Sequence, residues 1–184
     1  MQSLSLLQME SAMKTNNYEY ANHLLGKVNS FILVRKSPNG FYISQTLEDT
    51  ECQILLPNNE APVNSKEGDR IDAFIYKDSE DRPVATVKVP PIVLGEFALL
   101  KVKEVTNIGA FLDWNLAKDL FLPFKEQTYR VHTGQSVLVA LYIDKSSRLC
   151  ATMHVYDYLY DDSDYKADDH VEGMLYEIID TFGV

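Results

Sequence analysis

The chain has 184 residues, 46% of them apolar, enough for one domain or two small ones with modest cores. No apolar run approaches the roughly 18 residues of a membrane-spanning helix, so no membrane partner is expected. A net charge of −10 argues against tight non-specific DNA binding. The acidity is uneven, however: residues 154–184 hold nine carboxylates against one lysine, and the preceding sequence is close to neutral. A local basic face is therefore compatible with the charge.

Residues 1–24 show no clear period and read as a loosely docked N-terminal arm. Met1 to Leu7 lacks the basic stretch of a signal peptide. From Gly26 onward, short runs of Val, Ile, Leu, Phe and Tyr alternate with turn sequences such as Ser37-Pro38-Asn39-Gly40 and Lys66-Glu67-Gly68-Asp69. Five strands follow, at 29–36, 40–46, 53–57, 69–77 and 82–88, making a first domain over 25–90. Pro90-Pro91 then stiffen a joint. A second set at 98–105, 109–114, 120–123, 135–143 and 148–154 makes a second domain over 91–154. Asn115 to Lys118 is expected to be a loop, and Glu126 to His132 to hold a helical turn.

The second set repeats the first. Gly26, Gly40 and Tyr42 recur 69 positions later as Gly95, Gly109 and Phe111; Leu56-Pro57, Gly68, Arg82 and Ala85-Thr86 recur 66 positions later as Leu122-Pro123, Gly134, Arg148 and Ala151-Thr152. A three-residue deletion accounts for the change of offset. Duplication with short, evenly spaced strands predicts an all-β pair of small antiparallel barrels. Residues 155–170 form an acidic linker. Residues 171–184, with Val171-Glu172-Gly173-Met174 and Phe182-Gly183, look like the start of a third copy, so the chain reads as the first part of something longer.

The segment Leu100-Lys101-Val102-Lys103 to Gly109-Ala110-Phe111-Leu112-Asp113, with Leu120-Phe121-Leu122-Pro123, Gly134-Gln135 and Arg148 to Thr152, resembles the S1-type RNA-binding domain. Gly95-Glu96-Phe97-Ala98, Asp113-Trp114 and Lys118-Asp119-Leu120 point more narrowly to the virulence factor B (CvfB, YitL-like) family of bacterial proteins. The resemblance implies tandem five-stranded OB-fold barrels, the third truncated here, with single-stranded RNA as partner and a role in gene expression. It also carries departures. The family's aromatic before the glycine is replaced by Asn39 and Ile108, and its histidine after the third strand by Pro57 and Pro123.

Strand alternation turns Ala110 and Leu112 inward and Phe111 outward, where a ring can stack on an unpaired base. Tyr42 is its counterpart. Lys101 and Lys103 share one face and could follow phosphates, although Ile32 and Val34 replace them in the first copy. Arg82 and Arg148 open the last strand of each copy, where they could stack on a base or pair with a phosphate. Trp114 has two readings, packing at the domain junction or stacking on a base, of which the first is favoured. Lys118 reads by default as an ordinary loop lysine and is kept as a candidate RNA contact. The second copy therefore carries most of the expected binding surface.

Cys52 and Cys150 are not equivalent between copies and show no metal-ligand spacing, which fits a reduced cytoplasmic protein. Asp113 and Asp119 read as turn residues, the four histidines are scattered, and there is neither a phosphate-binding glycine loop nor a triad order. No catalytic residue, metal or cofactor is expected. The rival reading is a protein-interaction module docking on ribosomal or transcription machinery without touching RNA.

Overall fold

The computed structural model describes residues 20–47, 53–159 and 164–172. In the first repeat, β1 (Val28–Ser37), β2 (Gly40–Ser44), β3 (Ile54–Pro57), β4 (Arg70–Lys77) and β5 (Pro83–Thr86) close in the order β1-β2-β3-β5-β4. In the second, β6 (Phe97–Val105), β7 (Gly109–Asp113), β8 (Leu120–Pro123), β9 (Ser136–Ile143) and β10 (Leu149–Thr152) close in the same order. Among these ten strands, the β3–β5 and β8–β10 pairings are parallel and the others antiparallel. Two five-stranded barrels of OB type result, as expected from the sequence.

The repeat is reproduced at the level of hydrogen-bond register. Leu33 pairs with Ile43 as Val102 pairs with Leu112, 69 positions on. Leu55 pairs with Val84 as Phe121 pairs with Cys150, 66 positions on. A bulge also recurs in the first strand of each barrel, between Leu33 and Arg35 and between Val102 and Glu104. Gly40 and Gly109 are both required by close approach: a Cβ would lie 2.0 Å from the Leu56 carbonyl oxygen in one and 2.5 Å from that of Leu122 in the other. At Gly109 it would also meet the Phe121 ring at 2.8 Å, so this glycine makes room for an aromatic on the neighbouring strand.

Strand β4 shows why the barrels are not independent. Ala73 and Ile75 face the core of the first barrel, whereas Phe74 and Tyr76, pointing the other way, are buried with Val84 in the cluster of the second. A half-exposed strand would leave those two rings in water; burying each is worth about 1.5–3 kcal/mol. Their cover is Trp114, which meets both edge-on, with ring centroids 5.9 Å from Phe74 and 6.4 Å from Tyr76. At the joint, the Leu94 N–H donates to the Gly26 carbonyl at 2.7 Å, and a Cβ on Gly26 would come within 2.9 Å of Leu149.

Two sequence expectations are corrected. The predicted arm ends too late: residues 20–24 are helical, and Ala21, Leu24 and Leu25, at i, i+3 and i+4, are buried in the first core. The helical turn expected at Glu126 to His132 is a 3₁₀ turn at Phe124–Glu126, starting directly after Pro123 (φ −59°). Of the acidic linker, Val155–Tyr158 forms a second 3₁₀ turn with Val155 buried. The suggested third copy lies outside the described residues from 173 onward, as does Cys52. No helix among the described residues is long and apolar enough to cross a membrane.

Candidate nucleic-acid interface

Strand β7 has the burial expected of it: Ala110 and Leu112 are buried, while Phe111 between them is half-buried on the outer face. Opposite it in the β7–β8 ladder stands Phe121, also half-buried, with ring centroids 5.2 Å apart and planes tilted by 36°. The two rings form one apolar platform, with Ile108 exposed beside them. They line a pocket of about 320 Å³ whose other walls are Trp114, Lys118, Asp119, Asp144, Arg148 and Cys150 of the second barrel and Tyr76, Lys77 and Asp81 of the first. The pocket thus lies on the seam between the barrels.

Of the residues singled out from sequence, Phe111, Trp114, Lys118 and Arg148 meet there. Trp114 is only 3% exposed, and its indole N–H donates to the Lys118 carbonyl at 2.5 Å. It has no free face for a base and acts by holding the Lys118 loop and the junction. Lys101 and Lys103 both lie exposed on β6, the second at the bulge between Val102 and Glu104. Tyr42 and Arg82 do not line the pocket. The Tyr42 ring is covered by the Arg35 guanidinium at 4.2 Å, and the position equivalent to Arg35 in the second barrel is Glu104. Arg82 bonds back to its own hairpin, to Asp78 at 2.7 Å and Glu80 at 2.9 Å.

Carboxylates already engage the second barrel's cations. Lys103 Nζ lies 2.7 Å from Asp119 Oδ1, and this hydrogen bond raises the lysine pKa. Arg148 Nη2 donates to Asp81 Oδ2 at 2.5 Å, across the seam. Lys118 Nζ stands 3.6 Å from the other Asp81 oxygen and donates to the Asp78 carbonyl at 2.8 Å. Burial pushes the Asp81 carboxyl up, but the Arg148 hydrogen bond and charge, with Lys118, outweigh it and hold the group below its usual 3.8. Three cations (Lys77, Lys118 and Arg148) therefore face three carboxylates (Asp81, Asp119 and Asp144) around the pocket. Lys101 carries no ion pair among the described residues.

Sequence reasoning missed Phe121 and Asp81. Phe121 had a signal, because the outward position on β8 is Leu55 in the first copy and aromatic in the second. Asp81 had none, since its partners are 37 and 67 positions away in the other barrel.

Cys150 is buried opposite Phe121, and burial, with Asp144 nearby, pushes its thiol up to about 11. The thiolate is the reactive form, so Cys150 should resist alkylation at mildly alkaline pH until the barrel unfolds. A Cys52→Ser protein treated with iodoacetamide, with and without denaturant, checks this; fast labelling in the native state would contradict it. Among the described residues, no group of three or more His, Cys, Asp or Glu is placed to hold a metal ion.

Comparison with known proteins agrees with this architecture. Over 74 residues the chain is 38% identical to the uncharacterized protein YitL of Bacillus subtilis (strain 168), a match covering 40% of this chain and 25% of that protein. A crystal structure of a multidomain protein with nucleic acid binding domains from Streptococcus pneumoniae shares the fold at a TM-score of 0.59 and 17% identity, over 70% of this chain and 45% of that one. The chain thus spans less than half of each relative. Residues 25–88 and 94–154, which contain the two barrels, each match the S1 domain family, and the chain belongs to that family as a tandem pair of S1 domains.

Proposed function

We propose that this chain is a non-catalytic, cytoplasmic RNA-binding regulator that holds single-stranded RNA mainly on its second barrel. Membership of the S1 family supports a nucleic-acid-binding role, and the observation that carries the finer reading is the Phe111–Phe121 platform. Two half-exposed rings on an outer barrel face offer unpaired bases a stacking surface that tolerates any sequence. Lys118 and Arg148 line the same pocket, Lys101 and Lys103 lie exposed on β6, and these four supply phosphate contacts; Trp114 positions the Lys118 loop from within the junction. The first barrel contributes little, because Arg35 covers the Tyr42 ring and Arg82 is held in its own hairpin. The acidic segment beyond residue 155 repels other polyanions and limits promiscuous binding. An effect on bacterial gene expression rests on the resemblance to the virulence factor B family.

The test is titration with a fluorescent oligouridine at several salt concentrations. If all four cations hold a phosphate, log K should fall with log salt at a slope of about −2.8, roughly −0.7 per contact on a single strand. Lys103→Ala should make the slope shallower by about 0.7. Absence of binding at low salt would remove the RNA reading. It would favour the second one, a module docking on ribosomal or transcription proteins, which the carboxylate pairing of Lys103, Lys118 and Arg148 supports.

A further inference from the structure

The hairpins that precede the last strand of each barrel have the same backbone and different counter-ions. In both, the first aspartate accepts from two backbone N–H groups: Asp78 from Glu80 and Arg82, Asp144 from Ser146 and Arg148. In both, the residue after the turn is left-handed, Asp81 at φ 59° and Ser147 at φ 55°. In the first barrel Glu80 and Asp78 bind Arg82 within the hairpin. The second barrel keeps Asp144 at the position of Asp78 but has Ser146 and Ser147 at the positions of Glu80 and Asp81, so its hairpin offers Arg148 no counterpart of Glu80. Arg148 instead reaches across the seam to Asp81, which also faces Lys118. One carboxylate of the first barrel thus sits between two cations that line the same pocket as Phe111 and Phe121.

We propose that Asp81 competes with an RNA phosphate for Arg148 and Lys118, so that the first barrel limits how tightly the second binds RNA. This rests on the RNA reading above and assigns the first barrel a part in it. Asp81 is the negative group that a phosphodiester must displace. The exchange is feasible because the Arg148–Asp81 pair is about half exposed, and exposed pairs are weak. The seam does not depend on it, since the contact of Trp114 with Phe74 and Tyr76 is apolar and buried. A phosphate offers the guanidinium a two-pronged, charge-assisted acceptor, and a neighbouring base stacked on Phe111 would hold it there.

Asp81→Asn removes the charge with little change of shape, and asparagine accepts the left-handed conformation. Asp81→Ser installs the residue that the second hairpin already carries at that position. Both proteins should bind oligouridine about three- to tenfold more tightly than the parent, with thermal midpoints close to it. In an Arg148→Ala background the Asp81→Asn gain should be largely lost. If the parent binds, and Phe111→Ala weakens it, yet neither Asp81 variant tightens binding, the competition is refuted and the RNA reading stands. Weaker binding by both variants would instead make Asp81 a residue that orients Arg148 for RNA. If neither parent nor variants bind at low salt, both readings fall.

Discussion

Trp114→Ala is expected to cost about 3–5 kcal/mol of stability, the range for deleting a buried aromatic side chain. The ring is 3% exposed and fills the seam against the edges of Phe74 and Tyr76. Alanine would leave both with an uncovered face and deprive the Lys118 carbonyl of its donor. For a chain of this length the loss corresponds to a fall in melting temperature of roughly 10 °C. The shape of the transition should change as well. With an apolar seam the parent should unfold in one calorimetric step, whereas the variant should show two, one for each barrel. Trp114→Phe, which keeps a ring but removes the N–H, should fall between the two proteins. An unchanged melting temperature and a single step in Trp114→Ala would mean that the junction contributes nothing.

Phe111→Ala should weaken oligouridine binding by about 1–3 kcal/mol, roughly five- to 150-fold, the value of one stacked base. It should leave the salt slope unchanged, because no phosphate contact is removed. That combination separates a stacking role from an electrostatic one. Phe121→Ala should behave similarly, since the two rings form one platform. Tyr42→Ala, its ring already covered by Arg35, should stay within about twofold of the parent. Equal losses at Tyr42 and Phe111 would show that both barrels bind, and would overturn the assignment to the second.

Strand alternation made part of this site legible. A period of two in Gly109 to Asp113 places Phe111 outward and its neighbours inward whatever the rest of the fold does. The same rule leads one to expect Lys101 and Lys103 on one face of β6, and both are exposed, although the bulge at Lys103 interrupts the alternation. Phe121 was accessible by the same reasoning, because the ladder sets it opposite Phe111. The helical turn at residues 20–24 escaped because its apolar triplet covers little more than one turn, too short for a period to show. Trp114 was legible as a junction residue, but not as the support of Lys118, since that depends on where one indole N–H points.

Determined by the sequence alone were the duplication and the barrels. Each follows from local rules: strand period, turn residues, and two glycines where neighbouring backbone leaves no space for a side chain. The fate of the charges was decided only in the tertiary structure. Arg82 and Arg148 are equivalent in sequence, yet one is held within its own hairpin and the other by an aspartate 67 positions away. Ion pairing depends on distances of a few ångströms between groups that the chain brings together from afar, and no local pattern encodes them. The asymmetry between the barrels therefore begins in residue substitutions, and becomes a difference in ion pairing only once the barrels share a seam.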